Sequence, residues 1–489
     1  MASIWRVLPI LGAILLFFAV AMVVPFGVSW WMGDAALWAY PSSMAVTAAV
    51  GGVLWLAGRR SRQELQPRDG VLLVSFSWTL LPLFASLPLL IYFSQAGKPL
   101  SFTDAYFEAM SALTTTGATV LVGLDDLPGS INLWRCFLQW LGGMGILVLA
   151  VAILPLLGVG GSQMFRAEAT GPMKDAKLTP RITETAKGLW SVYCAISAAC
   201  VLVYWLAGMS ALDAWAHMFT TLSLGGLSTH DASYGYFKSP LIEWVSVPFM
   251  VLASCNFALY FVAWRKRSLW LVWRDPEVRG TLGLLLGASL FVAGLLWLRD
   301  VYPDPWVALR MATFNVVSIA STTGYSSTDY TLWPVFVPIL MLLLSGVATS
   351  AGSTGAGIKM ARLIILLKQA KREMSRIVHP RAVNPVTLGG RAVSPNTLSA
   401  VLGFMLVYGA TIIGLTMLLL LSDLPFDTAF SAVVASVNNM GPGLGEVGPA
   451  GNFAGLSDFQ TWVLTVAMLL GRLEMLSFMV LLTPQFWRK

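Results

Sequence analysis

Residues 319–327 read IASTTGYSS: three hydroxyl side chains, Ser321, Thr322 and Thr323, and then the helix-breaking Gly324, all inside an apolar run. Hydrocarbon satisfies neither hydroxyls nor freed backbone groups, so a chain crossing lipid has no use for such an interruption unless protein or water surrounds it. The pattern recurs. Its four copies are Thr114-Thr115-Thr116-Gly117-Ala118, Ser223-Leu224-Gly225-Gly226-Leu227, Ser321-Thr322-Thr323-Gly324-Tyr325 and Asn438-Asn439-Met440-Gly441-Pro442. Each follows an apolar piece too short to span a bilayer core of about 30 Å: TDAYFEAMSAL (103–113), LDAWAHMFTTLSL (212–224), DPWVALRMATFNVVSIA (304–320) and FDTAFSAVVASV (426–437). Asp104 and Asp213 each lie 13 residues before the string glycine and Asp427 lies 14 before it, whereas Asp304 lies 20 before Gly324. The acidic residues Asp104, Asp213 and Asp427 are placed to cap their half-helices at the N-terminus.

The rest of the chain reads as bilayer protein. Of 489 residues, 57% are hydrophobic and 11% charged, more apolar surface than one soluble core encloses. Ten segments have the length to span, at 7–30, 36–57, 71–95, 133–157, 188–208, 241–264, 280–298, 335–368, 397–421 and 460–485. Arg6 precedes the first, but that run is too long for a signal peptide and lacks a small-residue cleavage site. The net charge of +7 does not point to nucleic acid, because 20 of the 31 Lys and Arg fall in four stretches: Arg59–Arg68, Arg166–Lys187, Arg265–Arg279 and Lys368–Arg391. These face the cytoplasm by the positive-inside rule, and the stretches between them, with Asp125, Asp231, Asp329, Glu446 and Asp458, face outward. Cys136, Cys194, Cys200 and Cys255 lie in or beside apolar segments and read as buried thiols rather than a disulfide framework.

After the second span, each interval between basic stretches holds two spans and one half-length piece, so the unit is span, re-entrant half-helix, polar string, span. The fold class is an all-α polytopic membrane protein with two N-terminal helices and four such repeats in pseudo-fourfold arrangement around one pore. The divisions are 1–69; repeat 1 at 70–160 with string 114–118; a cytoplasmic loop at 161–187; repeat 2 at 188–264 with string 223–227; a loop at 265–279; repeat 3 at 280–368 with string 321–325; a loop at 369–396; and repeat 4 at 397–489 with string 438–442. Four strings that lipid rejects must meet. Their carbonyl oxygens, with Thr and Asn side-chain oxygens, form a ring able to replace the hydration shell of a monovalent cation. Glycine supplies backbone angles that a Cβ resists, and each half-helix directs its negative C-terminal end at the ring.

Two anomalies lie below the strings. SGVATSAGSTGAGIK (345–359) breaks the second span of repeat 3 with Gly346, Gly352, Gly355 and Gly357 before Lys359. Gly352 and Gly357 have Walker A spacing, but Ile358 follows and no strand precedes, which rejects phosphate binding. Two readings remain, close helix packing or a mobile intramembrane loop. Arg472 sits inside the last apolar segment, where a charge faces a partner or a cavity. Glu474, two residues on, is on a different helical face. His217, His230 and His379 lack metal-ligand spacing. His230 lies just outside the second string, where loop hydrogen bonding is favoured over a role in pH tuning. No nucleophile, base and acid cluster outside the repeats, and no span carries the arginine ladder of a voltage sensor.

At these residues the chain resembles the Trk-type potassium uptake proteins, the TrkH/TrkG branch of a superfamily that includes Ktr and plant HKT transporters. The resemblance is carried by QWLGGMGILVLAVAILPLLGVGG (139–161), GPMKDAKLTPRITETAKGLW (171–190), GGLSTHDASYGYF (225–237), AGSTGAGIKMARLIILLKQ (351–369) and GRLEML (471–476), and covers nearly the whole chain. It implies a bacterial inner-membrane protein, homodimeric with one pore per subunit, that carries K+ and docks a cytoplasmic TrkA-like nucleotide-binding ring, with no organic cofactor. The family's filter positions carry over to Thr115, Thr116 and Gly117; Leu224, Gly225 and Gly226; Thr322, Thr323 and Gly324; and Asn439, Met440 and Gly441. Glycine at all four filter corners goes in relatives with K+ preference, and Leu224 departs from the usual Thr. The resemblance makes 345–359 the gating loop, with Lys359 reaching solvent or an anion, and directs Arg472 toward the pore below the filter. The loop 158–187 and the stretch 368–391 offer a docking surface for a soluble regulator, or for anionic lipid. Proton- or sodium-coupled symport on the same fold stays open.

Overall fold

The computed structural model describes residues 2–58, 67–152, 182–382 and 384–487. The cytoplasmic loop expected at 161–187 therefore lies, except for its last residues, outside the described residues. The molecule is an all-α polytopic membrane protein. Among the described residues, six helices are long and apolar enough to cross a bilayer: Trp5–Met32, Ala39–Gly58, Arg68–Gln95, Ala186–Leu206, Pro276–Leu298 and Pro395–Leu420. Their outward faces leave large apolar side chains such as Phe17, Leu286, Leu290, Leu406 and Ile413 exposed, as lipid-facing helices do.

The four half-helices are the reverse. Phe102–Leu113, Ala211–Leu222, Pro305–Ala320 and Phe426–Val437 bury nearly every residue of their C-terminal two turns, on all sides, which marks helices enclosed by protein. The third is longer by a turn, accounting for the wider Asp304–Gly324 spacing. The capping expectation needs correction. Ser101 and Ser210 are the N-caps of the first two half-helices, and Asp104 and Asp213 are the residues whose backbone N–H groups donate to them. Pro425 holds the cap position of the fourth, ahead of Asp427, while Asp304 caps the third by accepting from Trp306 N. A serine hydroxyl accepts from the N3 amide while donating to the N3 carboxylate, at 2.7 Å in both cases, so the pair outcompetes a lone aspartate.

Three expected spans are not continuous. The segment 241–264 is two helices, Pro240–Ser254 and Phe257–Lys266, at 91° to one another. Cys255 takes an extended backbone there, and Asn256 starts the second helix by accepting from Ala258 N. The segment 335–368 is Phe336–Ser345 and Met360–Val378, separated by the glycine-bearing loop. The segment 460–485 runs as a helix only over Asp458–Arg472 before Glu474 and Met475, both at positive φ, end it.

Packing of these elements is cyclic. The second span of repeat 1, Gly129–Ala152, packs on the second half-helix; Pro240–Ser254 packs on the third; Phe336–Ser345 packs on the fourth; and Asp458–Arg472 returns to the first. A ring closed in this order places the four half-helix C-termini around one axis. Within the stretch expected to face the cytoplasm, a short hairpin, Thr387–Leu388 with Arg391–Ala392, turns at Gly389 and Gly390, both at positive φ as such a tight turn requires.

Candidate pore and gate

Each half-helix ends in the same way. The second residue of every string, Thr115, Leu224, Thr322 and Asn439, lies at φ between +48 and +65°. The third donates its N–H to a carbonyl five residues back, as in Thr116 N to Ser111 O, Gly225 N to Thr220 O, Thr323 N to Ser318 O and Met440 N to Ala435 O. This is a Schellman ending, usually built on glycine, here held four times by residues with a Cβ. A left-handed residue of that kind carries strain of about 1–2 kcal/mol, which persists where surroundings over-determine it.

The glycines show what those surroundings are. A Cβ on Gly117 would lie 1.9 Å from Gly225 O; on Gly226, 2.0 Å from Thr323 O; on Gly324, 2.1 Å from Met440 O; and on Gly441, 2.8 Å from Thr116 O. Every string glycine thus faces the carbonyl just ahead of the glycine in the next repeat, and the fourth returns to the first. All four glycines, at φ +73 to +94°, line one cavity of about 80 Å³, together with Ala118, Leu227, Ser326 and Pro442. The four string glycines and the carbonyls of Thr116, Gly225, Thr323 and Met440 are therefore brought together. Two of the four threonine hydroxyls at the expected filter positions are turned to neighbours: Thr116 Oγ1 meets Thr114 Oγ1 at 2.7 Å and accepts from Asn439 Nδ2, and Thr323 Oγ1 meets Ser321 Oγ at 2.8 Å. Thr322 Oγ1 and Asn439 Oδ1 are buried without a partner. In the second string, Gln139 occupies the space a side chain at Gly225 would need, donating to Gly225 O and accepting from Leu227 N.

Sequence reasoning missed the side chains behind the strings. Glu108, His217 and Asn315 each stand nine residues before their string glycine and grip the chain just beyond it. Glu108 accepts from Val120 N and Thr119 Oγ1, and pairs with Arg135 Nε at 2.7 Å. His217 donates from Nδ1 to Asp213 O and accepts through Nε2 from Ser228 Oγ. Asn315 donates to Ser327 Oγ and accepts from Ser327 N, while Ser431, ten before Gly441, accepts from Leu444 N. The offset of nine shared by the first three repeats is the signal that could have found them.

Beneath the ring lies the loop between Ser345 and Met360. Thr354 Oγ1 donates to Leu222 O at the end of the second half-helix, and a Cβ on Gly355 would approach Thr322 Oγ1 to 3.1 Å. Gly352 and Gly357, both at positive φ, fold the loop back, with Gly346 O accepting from Ile358 N and Lys359 N. Arg472, fully buried, donates to Thr354 O and to Gly142 O, 3.0 Å each. It meets no carboxylate among the described residues. The alternative of a structural ion pair therefore passes to Glu474, which binds Lys359 Nζ at 2.9 Å and Arg362 at 3.0 Å. Lys359 is accordingly buried and paired rather than reaching solvent.

Outside the ring, His230 joins two loops to a half-helix. Its Nδ1 meets Asp125 and its Nε2 lies 3.2 Å from Asp213, with Tyr236 stacked on the ring. Partial burial pulls its pKa down, but the two carboxylates outweigh that and raise it above the ordinary value.

Half-helices enclosed by spans, with irregular backbone meeting on one axis, define a polytopic membrane protein built around a ring of polar strings. The family model for TrkH, described as cation transport protein, matches residues 40–296 and 304–489. Over 480 residues, the chain is 45% identical to the Trk system potassium uptake protein TrkH of Salmonella typhimurium, covering 98% of each. It is 35% identical to TrkG of Escherichia coli strain K12, over 98% of this chain and 97% of that one. The crystal structure of the potassium transporter TrkH from Vibrio parahaemolyticus superposes with a TM-score of 0.91 at 43% identity, covering 100% of this chain and 99% of that one. The chain belongs to the TrkH family of cation transport proteins.

Proposed function

We propose that this protein takes up potassium ions across the bacterial inner membrane, through the four strings as selectivity filter and under control of the loop 345–359. The carrying observation is the closed ring of glycine-to-carbonyl approaches around one cavity. Its relatives, potassium uptake proteins and a potassium transporter by name, supply the ion. Backbone carbonyls of Thr115–Gly117, Leu224–Gly226, Thr322–Gly324 and Asn439–Gly441 replace ion hydration. The unpartnered oxygens of Thr322 and Asn439 extend the polar path toward the cytoplasm. Rigid backbone spacing, enforced by the Schellman endings and the side chains behind them, favours the larger K+ over Na+.

Below the filter, Thr354 and Gly355 obstruct the path, and Arg472 adds a positive charge on the axis side. Opening requires the loop to leave Leu222 O and Arg472. A homodimer and a cytoplasmic TrkA-like nucleotide-binding ring, acting on the basic surface at 368–391, fit the resemblance. The test is Rb+ influx into proteoliposomes with K+ and Na+ as competitors and an imposed pH gradient. Gly324→Ser should reduce the K+ over Na+ preference, and an unchanged preference overturns the filter assignment. Rb+ influx that follows the pH gradient at fixed voltage would replace the channel-like reading with symport.

A further inference from the structure

The broken second span of repeat 2 leaves a bracket between two membrane-crossing helices, made of Phe257–Lys266, a turn at Arg267, and Trp270–Arg274. Pro240–Ser254 is 15 residues long, about 22 Å at 1.5 Å per residue. That is short of the core by itself, but its end lies beside the start of the 23-residue span Pro276–Leu298, since Ser254 and Glu277 bond the adjacent loop residues Ser350 and Ala351, which sets the break near the cytoplasmic interface. The 91° bend then lays the bracket along the membrane surface. Trp264, Leu269, Trp270 and Trp273 are each more than half exposed, and Lys266, Arg267 and Arg274 are exposed as well. The carboxylates at the bracket's end are turned inward. Asp275 is buried and accepts from Glu277 N and Val278 N; Glu277 is buried and accepts from Ala351 N. The exposed surface therefore carries indoles, one leucine and cations, with both carboxylates turned away from it. Indoles rest at headgroup level and Lys or Arg meet lipid phosphates, each worth about 1 kcal/mol at an anionic surface.

The inward side of the bracket holds the loop beneath the filter. Ser350 N donates to Ser254 O at 2.9 Å, and Phe257 N donates to Gly352 O at 3.1 Å. Asn256 Oδ1 stands where a Cβ on Gly352 would be, at 2.7 Å. With Glu277 on Ala351 N, three consecutive loop residues are gripped by the two ends of the bracket.

We infer that residues 257–274 bind anionic phospholipid headgroups, and that binding holds the loop in its obstructing position. A ligand that favours the docked bracket shifts the population toward the conformation in which those hydrogen bonds exist. The lipid site stands on the bracket's own surface; the effect on flux rests on the gate reading above.

The experiment uses the full chain. Native mass spectrometry measures retained phosphatidylglycerol against phosphatidylcholine, and Rb+ influx is compared in liposomes with and without phosphatidylglycerol. The variant combines Lys266→Gln, Arg267→Gln and Arg274→Gln; a charge-matched control combines Lys98→Gln, Lys238→Gln and Arg299→Gln, exposed on the acidic side. Phosphatidylglycerol should lower influx through the wild type. The variant should retain it roughly tenfold less well, or weaker still, and show influx independent of lipid charge, while the control behaves as wild type. Wild-type retention in the variant, or equal loss in the control, overturns the site. Retention lost with the lipid effect on influx intact overturns its link to the loop. Gly352→Ala separates the gate reading from the lipid site: influx in phosphatidylcholine left unchanged by it sinks the gate and leaves retention as evidence for lipid alone. An acidic soluble partner as occupant would show as headgroup-insensitive retention and influx in purified wild type, which also refutes the proposal.

Discussion

Substituting the four string glycines one at a time with alanine yields a graded result, and the grading comes from geometry. A Cβ placed on Gly117, Gly226 or Gly324 starts 1.9, 2.0 or 2.1 Å from the next repeat's carbonyl oxygen, against a floor near 3.0 Å, so that carbonyl retreats by about 1 Å. On Gly441 the starting distance is 2.8 Å and the retreat is about 0.2 Å. All four sites add the cost of a Cβ at positive φ, about 1–2 kcal/mol, but only the first three displace an oxygen by more than the difference in radius between K+ and Na+. Rb+ influx with Na+ competition should lose most K+ preference in Gly117→Ala, Gly226→Ala and Gly324→Ala, by tenfold or more for each 1.4 kcal/mol of lost discrimination, and least in Gly441→Ala. Thermal unfolding in detergent separates lost selectivity from lost fold. If Gly441→Ala damages selectivity as much as the other three, the reasoning from carbonyl displacement is wrong.

Glu108→Ala leaves the buried Arg135 guanidinium uncompensated, which costs about 3–5 kcal/mol; thermal unfolding should fall sharply, and Rb+ over Na+ preference with it, while Glu108→Gln keeps the acceptors and loses less. Arg472→Ala removes hydrogen bonds from a charged donor worth about 1.5–3 kcal/mol each, so basal Rb+ influx should rise roughly tenfold without any partner. Arg472→Lys, a single point donor, should fall between, and influx unchanged in both would remove Arg472 from the gate. The raised pKa of His230 means that its bridge to Asp125 and Asp213 stabilises the fold fully below the ordinary histidine value and is lost as pH rises through the higher folded one. Thermal stability should accordingly decline toward alkaline pH in wild type, and a His230→Gln protein showing the same decline would exclude this histidine as its source.

The partly legible features are those in which one element carries its own signal. The half-helices were visible because Asp104, Asp213 and Asp427 keep nearly constant distance from a string glycine, and the span 335–368 showed its break in Gly346 to Gly357. The bend at Cys255–Asn256 was not visible, because Asn256, its one local cap signal, sits inside an apolar run with no glycine or proline at the break. What bends it is the loop of another repeat bonding Ser254 and Phe257. Lys359 read as a solvent-facing cation for the same reason: its partner Glu474 is more than a hundred residues away.

Composition and fourfold periodicity of the sequence determined that this chain lies in a bilayer and that four short polar strings must be hidden from lipid. These follow from local chemistry, since hydropathy, capping and turn residues act over a few positions. Tertiary structure alone decided that each glycine abuts the next repeat's carbonyl in a closed ring, that Arg472 bridges Thr354 and Gly142, and that Glu108, His217, Asn315 and Ser431 brace the strings from behind. Those contacts join residues distant in the chain, and only the packing of complete repeats brings them within hydrogen-bonding reach.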